Sequence, residues 1–280
     1  MTRLEARGVT LAYEARTVSR DLDVAIPDGS FTVVVGPNAC GKSTLLRGLA
    51  RMIRPSSGTV SLDDRPVADY GAKEFARRLA LLPQSPVAPD GIGVADLVAR
   101  GRYPHQSLLR QWSPADEEAV SGAMAATGVA ELAERAVGEL SGGQRQRVWI
   151  AMVLAQDTPL LLLDEPTTFL DIAYQLEVLD LLADLHAAGD RTLVAVLHDL
   201  NQACRYATHL IAMRDGAVVA EGPPSEIVDA DLLERVFGLI GDVVPDPRTG
   251  TPMIIPAGRE ARQAMRAGVS AATGHDGSSG

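Results

Sequence analysis

The chain has 280 residues, 46% of them apolar but only 4% aromatic, and a formal net charge of −10. That length allows one large domain or two lobes sharing a core, and no apolar run approaches the ~20 residues needed to span a bilayer as a helix. An acidic chain without a basic block is poorly suited to coating nucleic acid, whose affinity rests largely on Lys and Arg against phosphates.

Up to about Gly36 the chain alternates as β-structure does. Thr10-Leu11-Ala12-Tyr13 and Leu22-Asp23-Val24-Ala25-Ile26 are the strand runs, and Pro27-Asp28-Gly29-Ser30 is a turn. The first residues, Met1-Thr2-Arg3-Leu4-Glu5-Ala6-Arg7, lack the apolar core of a signal peptide, so the chain is expected to stay in the cytoplasm. Residues 31–35 read as a buried strand and residues 44–49 as the first turns of a helix. Between them Gly36-Pro37-Asn38-Ala39-Cys40-Gly41-Lys42-Ser43 fits the phosphate-loop pattern G-x-x-x-x-G-K-[ST]. Its glycines let the backbone fold round an anion with N–H groups pointing inward, and the helix N-terminus adds its dipole. Lys42 then reaches the β- and γ-phosphates, and the Ser43 hydroxyl takes a place on Mg²⁺. The bare pattern turns up by chance in on the order of one chain in a hundred of this length, but here strand and helix stand in register with it. The chain is expected to bind a nucleotide.

Pro55-Ser56-Ser57-Gly58 is a further turn before a short strand over 59–62, and residues 78–82 form a strand that stops at Pro83. From Gln84 to about Ala155 strand-like runs vanish, and helical patterns appear over 94–100, from Ser113-Pro114 onward, and over 129–135. This stretch reads as a helical insertion into a mixed α/β core. Leu140-Ser141-Gly142-Gly143-Gln144 opens a helix whose apolar positions Val148, Ala151, Met152 and Ala155 follow i, i+3, i+4, i+7 spacing. Ser141 is a suitable N-cap, and two glycines expose N–H groups at the dipole-positive end. An ordinary Ser-capped helix and a second anion-binding end, shared between two copies of the chain, are equal readings of that segment taken alone.

Leu160-Leu161-Leu162-Leu163 is a continuous apolar run, as expected for a parallel strand covered on both faces, and residues 192–197 form another. The first ends in Asp164-Glu165. In a phosphate-loop nucleotidase the Asp holds Mg²⁺ directly or through water, and the Glu polarises the attacking water. Residues 210–214 and 217–220 around Asp215-Gly216 read as a hairpin, and residues 253–255 as a strand. Cys40 and Cys204 imply no disulfide framework, and Cys40 is read as a small loop-filling side chain.

At these residues the chain resembles the nucleotide-binding subunit of ATP-binding cassette transporters. The resemblance runs from Tyr13 to about Gly238, with every motif in order, and residues 140–144 are its most specific mark. It implies an α/β fold, a P-loop NTPase core of mixed sheet with an inserted helical subdomain. The core lobe covers 1–84 and 156–240, the helical lobe 85–155, a C-terminal extension 241–260 and a disordered tail 261–280. It implies ATP and Mg²⁺ as cofactors, held by Gly36, Pro37, Asn38, Ala39, Cys40, Gly41, Lys42, Ser43 and Thr44. The metal falls to Ser43, Gln84 and Asp164, and catalysis to Glu165, His198 and Gln84. Tyr13 is implied to stack on adenine, an interaction worth ~1–3 kcal/mol. Ser141, Gly142, Gly143, Gln144 and Asp171 are implied to serve the nucleotide of a second copy in a sandwich dimer. Phe169 departs from the commonest family form, which has a small residue there.

Gly101-Arg102-Tyr103-Pro104-His105-Gln106, Glu165-Pro166-Thr167-Thr168-Phe169-Leu170-Asp171 and Leu197-His198-Asp199-Leu200-Asn201-Gln202-Ala203 resemble importers of ferric siderophores, haem and vitamin B12. That resemblance implies a peripheral ATPase on the cytoplasmic face of the cell membrane. Its partners are integral membrane permease subunits and, indirectly, an extracellular or periplasmic substrate-binding protein, with no nucleic acid. Ferric siderophores lead haem and vitamin B12 as cargo. A soluble cassette ATPase acting on ribosomes or DNA is the rival of another class. One cassette, two cysteines and no heptads argue against it.

Overall fold

The computed structural model describes residues 2–13, 16–107, 112–168, 170–189 and 191–258. Phe169 and the tail expected over 261–280 lie outside the described residues. Two long strands, β1 (Thr2–Tyr13) and β2 (Arg16–Pro27), open the chain and pair antiparallel. They continue through β3 (Phe31–Val35), α1 (Lys42–Leu49), β4 (Ser57–Leu62), β5 (Arg65–Pro66), α2 (Ala72–Ala76) and β6 (Leu79–Leu82). Helices α3 (Val94–Ala99), α4 (Pro114–Ala126) and α5 (Gly142–Ala155) follow. After them come β7 (Leu160–Asp164), α6 (Ile172–Ala187), β8 (Thr192–Val196), α7 (Leu200–Tyr206) and the hairpin β9 (His209–Arg214) and β10 (Ala217–Gly222). Short helices α8 (Pro224–Ile227) and α9 (Ala230–Leu232) lead to a last hairpin, β11 (Gly241–Pro245) and β12 (Pro252–Pro256).

The central sheet has the order β10-β9-β3-β8-β7-β6. All its pairings are parallel except β9 with β10, so it is mixed with an antiparallel edge strand. Strand alternation decides what covers each face. In β3, Phe31, Val33 and Val35 join one buried cluster while Val34 joins the other; in β7, Leu161 and Leu163 divide from Leu160 and Leu162 in the same way. The first cluster packs against α3, α4, α5, α6 and α7, and the second against α1 and the separate antiparallel sheet β2-β1-β4-β5. Burial on both faces is why these strands are continuous apolar runs. Because β3, β6, β7 and β8 run parallel, their C-terminal ends bring Gly36, Pro83-Gln84, Asp164-Glu165 and Leu197-His198 to one edge of the sheet, where open α/β sheets bind ligands.

Three local readings change. The helix expected over 129–135 is only a 3₁₀ turn at Ala130–Leu132, a segment too short to propagate and held by the buried Val129 and Leu132. The apolar stripe expected on α5 is too narrow: Trp149, Ile150, Val153 and Leu154 are buried as well, because α5 is covered by α3, α4 and the sheet, and Met152 is half-buried. The helix begun at 94 passes into a 3₁₀ turn at Arg100–His105, where the Pro104 ring ends α-helical pairing. Ser113 caps α4 through a reciprocal pair with Asp116, as the Ser-Pro start suggests.

Candidate nucleotide-binding and hydrolysis site

Residues 36–41 leave β3 in a loop whose backbone calls for glycine at its first position. Gly36 has φ 153°, and a Cβ there would lie 2.2 Å from the Met213 carbonyl oxygen of the adjacent β9. Ala39 and Gly41 also have positive φ, and Gly41 N-caps α1. The result is a concave run of backbone ending at a helix N-terminus, an anion cradle. Lys42, only 5% exposed, donates from Nζ to the carbonyls of Gly36 and Pro37, both at 2.9 Å, so its ammonium stands across the mouth of the loop. Cys40 is buried against the loop, and burial pushes its thiol pKa up despite the Lys42 charge.

A cleft of about 1210 Å³ opens over this loop, ample for a nucleoside triphosphate. Tyr13, Gly36, Pro37, Asn38, Ala39, Gly41, Lys42, Ser43, Thr44, Gln84, Glu165 and His198 line it. Asp164 lies beneath, 1% exposed, accepting from Ser43 Oγ at 2.8 Å through Oδ1. Its Oδ2 is buried without a hydrogen-bond partner. Burial raises the Asp164 pKa, and the Ser43 hydroxyl pulls against that. A buried carboxylate with one oxygen free, beside a hydroxyl, suits a hard cation. Among the described residues there is no group of three or more His, Cys, Asp or Glu that could hold a metal ion.

Glu165 follows with φ 55°, a strained backbone position for a non-glycine residue. The strain turns its carboxylate into the centre of a network. Oε1 meets His198 Nε2 at 2.8 Å, while Oε2 accepts from Gln84 Nε2 at 2.6 Å and Thr168 Oγ1 at 3.1 Å. Burial is the largest single influence and pushes the Glu165 pKa up, but His198, Thr168 and Gln84 together outweigh it and hold it below the ordinary value. Glu165 is therefore ionised at neutral pH.

Ser141, Gly142, Gly143, Gln144 and Asp171 do not line this cleft. Ser141 Oγ accepts from Gln144 N at 3.3 Å and Gln144 Oε1 accepts from Ser141 N at 3.1 Å, so the start of α5 is a complete capping box. Gly143 is buried under the Tyr174 ring of α6, where a Cβ would approach the ring at 3.2 Å. The Arg147 guanidinium lies over the same ring at 5.5 Å and donates to Glu177 Oε2 at 2.7 Å. Asp171 N-caps α6 by accepting from Tyr174 N at 3.0 Å.

Sequence reasoning passed over Thr168, Arg16, Thr17, Val18 and Phe237. Thr168 stands three residues after Glu165, a spacing that a loop reading could have used. Arg16 pairs with Tyr13 across the first hairpin, which brings Thr17 and Val18 along the cleft wall. Phe237 arrives from a turn far down the chain, and no local pattern marks it.

Comparison with known proteins places this geometry. The protein-family description "ABC transporter" matches residues 19–168. The chain is 56% identical over 261 residues to the ferric enterobactin transport ATP-binding protein FepC of Escherichia coli (strain K12), covering 93% of this chain and 96% of that protein. It is 52% identical over 259 residues to YusV of Bacillus subtilis (strain 168), named a probable siderophore transport system ATP-binding protein, covering 92% and 94%. A solved metal-chelate type ABC transporter in an inward-facing conformation aligns with TM-score 0.79 at 28% identity, over 93% of this chain and 99% of that one. With its phosphate loop, buried Asp164 and Glu165 network in one cleft, the chain belongs to the ABC transporter family and carries its ATPase domain.

Proposed function

We propose that this chain is the ATP-hydrolysing subunit of a membrane importer for ferric siderophores. One observation supports the chemistry above the rest: Lys42, Ser43, Asp164, Glu165, Gln84 and His198, drawn from four parallel strand ends, converge on one cleft. The likeness to ferric enterobactin and siderophore transport proteins supports the cargo. Among the described residues no helix is long and apolar enough to cross a membrane. The likeness to import ATP-binding proteins supports a peripheral subunit on the cytoplasmic face, bound to a separate permease that receives cargo from an extracellular or periplasmic binding protein.

ATP lies with its base on Tyr13 and its phosphates along residues 36–44. Lys42 releases its loop carbonyls and neutralises the β- and γ-phosphates. Ser43 and Asp164, with Gln84 at the edge, would hold Mg²⁺, and when bound it would supply positive charge against the phosphate oxygens. Glu165 orients a water on the far side of the γ-phosphate and accepts its proton as the new P–O bond forms and the bond to the β-phosphate oxygen breaks. A loose transition state asks for little proton transfer early, so an ionised, hydrogen-bonded carboxylate is suited to the role. His198 bonds both to Glu165 and to the transferring group. Two copies close over two nucleotides, each offering Ser141, Gly142, Gly143, Gln144 and Asp171 to the other.

The test uses cells deprived of this chain and supplied with ⁵⁵Fe-labelled ferric siderophore. The wild-type chain restores uptake; Glu165→Gln lowers ATP hydrolysis by about 10²–10⁴ and does not restore it. Restored haem or vitamin B12 uptake without siderophore uptake overturns the cargo. Affinity capture of the ATP-loaded Glu165→Gln protein from membranes without any integral membrane partner overturns the transporter reading.

A further inference from the structure

Tyr13 is the last residue of β1 and is 41% exposed. What holds the ring lies on another element. Arg47, on α1 one turn beyond Ser43, donates from Nη1 to the Tyr13 hydroxyl at 3.0 Å. Two residues earlier on the same strand face, Leu11 is 1% exposed and packs on Gly48 of α1, where a Cβ would come within 2.9 Å of both Leu11 δ-methyls. Glycine inside a helix is unfavourable relative to alanine, and the close seating of β1 on α1 is what it permits. Leu11 on Gly48 and Tyr13 on Arg47 therefore fix the end of β1 to the helix that begins with Lys42 and Ser43.

We propose that Arg47 is a positioning residue that holds the Tyr13 ring as a preformed nucleobase platform, in register with the phosphate loop at the other end of α1. This rests on the reading of Tyr13 as the base-stacking residue. The platform and the phosphate cradle share one rigid element, so the distance from base to phosphates is set before the nucleotide arrives. The arrangement selects triphosphates that carry a nucleobase of the right reach over the bare polyphosphate. Arg47 also exerts its charge on Asp164, so a plain loss of nucleotide affinity on removing Arg47 does not separate the two roles.

The experiment compares the affinity of the full chain for Mg·ATP and for inorganic tripolyphosphate with Mg²⁺ by isothermal titration calorimetry. Arg47→Met and Tyr13→Phe each lower ATP affinity by about fivefold, the value of one exposed hydrogen bond, and leave tripolyphosphate affinity unchanged. Tyr13→Phe keeps the Arg47 charge, and the double variant loses no more than either single one. An equal loss for both ligands in Arg47→Met shows an effect on the phosphate or metal end and overturns the proposal. So do additive losses in the double variant. If Tyr13→Ala lowers the preference for ATP over tripolyphosphate while Arg47→Met and Tyr13→Phe do not, the base-stacking reading stands and the positioning role falls. If Tyr13→Ala leaves that preference intact, both fall.

Discussion

Arg102 and Asp116 form a buried ion pair in the helical part of the chain, each side chain 6% exposed. Arg102 donates from Nε to Asp116 Oδ1 and from Nη1 to the Ala155 carbonyl at the end of α5, both at 2.8 Å. Asp116 Oδ2 accepts from Ser113 N at 3.0 Å and Oγ at 2.6 Å. The Ser113 hydroxyl, against the opposing effect of burial and with help from Arg102, holds the Asp116 pKa below its ordinary value. A depressed carboxylate contributes stability above its unfolded pKa and loses it as pH falls through the folded one, so at neutral pH the contribution is complete. Arg102→Met strands the carboxylate and the Ala155 carbonyl together. Removing one partner of a buried pair costs about 3–5 kcal/mol, and since Ser113 still serves Asp116 the lower end applies here. With a urea slope of about 3 kcal/mol per M, the unfolding midpoint followed by circular dichroism drops by about 1 M. Arg102→Met with Asp116→Leu removes both charges and leaves the unserved Ala155 carbonyl and the lost Asp116 half of the α4 capping box, about 1–2 kcal/mol. The double variant is therefore more stable than the single one. A single-variant loss below about 1 kcal/mol, or a double variant worse than the single, refutes the account of Arg102 as the counter-ion that keeps Asp116 buried.

Asp164→Asn removes a carboxylate whose raised pKa means the folded state loses stability as pH rises past it. At neutral pH this variant is expected to be about 1 kcal/mol more stable by thermal melting, yet at least ~10²-fold slower in Mg²⁺-dependent ATP hydrolysis. Gly143→Val drives a side chain into the Tyr174 ring and so shifts the start of α5; ATP hydrolysis falls more than tenfold while equilibrium ATP affinity of the isolated chain stays within about twofold, because Gly143 is not in the cleft wall. Cys204 is pushed up to about 12 by burial, and Cys40 is raised for the same reason. Both stay protonated at neutral pH, so maleimide labels neither in the native chain and both of the chain's cysteines after unfolding in guanidinium; rapid native labelling of Cys40 counts against its buried position.

The strand ends that carry chemistry were legible because each is a short apolar run with a clear stop, a glycine or a polar residue: Val35 before Gly36, Leu163 before Asp164, Leu197 before His198. Burial on both faces leaves no room for polar alternation, so the stops stand out. The supports of those residues were not legible. Thr168, Arg47 and the Arg102–Asp116 pair act through contacts fixed by packing between elements, and nothing in the local sequence says which element a long side chain reaches. α6 was passed over although it was legible: Val178, Leu179, Leu182 and Leu185 recur at i, i+1, i+4 and i+7, and Asp171 offers an N-cap.

Two helix N-termini in one chain, at Gly41 and at Ser141, carry the elements of anion binding, but they do not play the same part. The Gly41 end has Lys42 beside it and a cleft over it. The Ser141 end has a closed capping box, an exposed Ser141 and Gly142, and Gly143 pinned by Tyr174 to the same helix that Asp171 caps. A helix end whose first donors are satisfied locally, yet which is held rigidly beside a second exposed acidic cap, is suited to meet a ligand brought to it from outside. In the closed pair proposed above, that ligand would be the γ-phosphate bound by the other copy. The route back to each chain's own cleft is short: Gln175, next to Tyr174, donates to the Leu170 carbonyl and accepts from Gln202. Gln202 in turn donates its backbone N–H to Asp199, the residue after His198. These contacts join the residue beside Tyr174 to the N-cap of α7, the helix that begins directly after His198-Asp199.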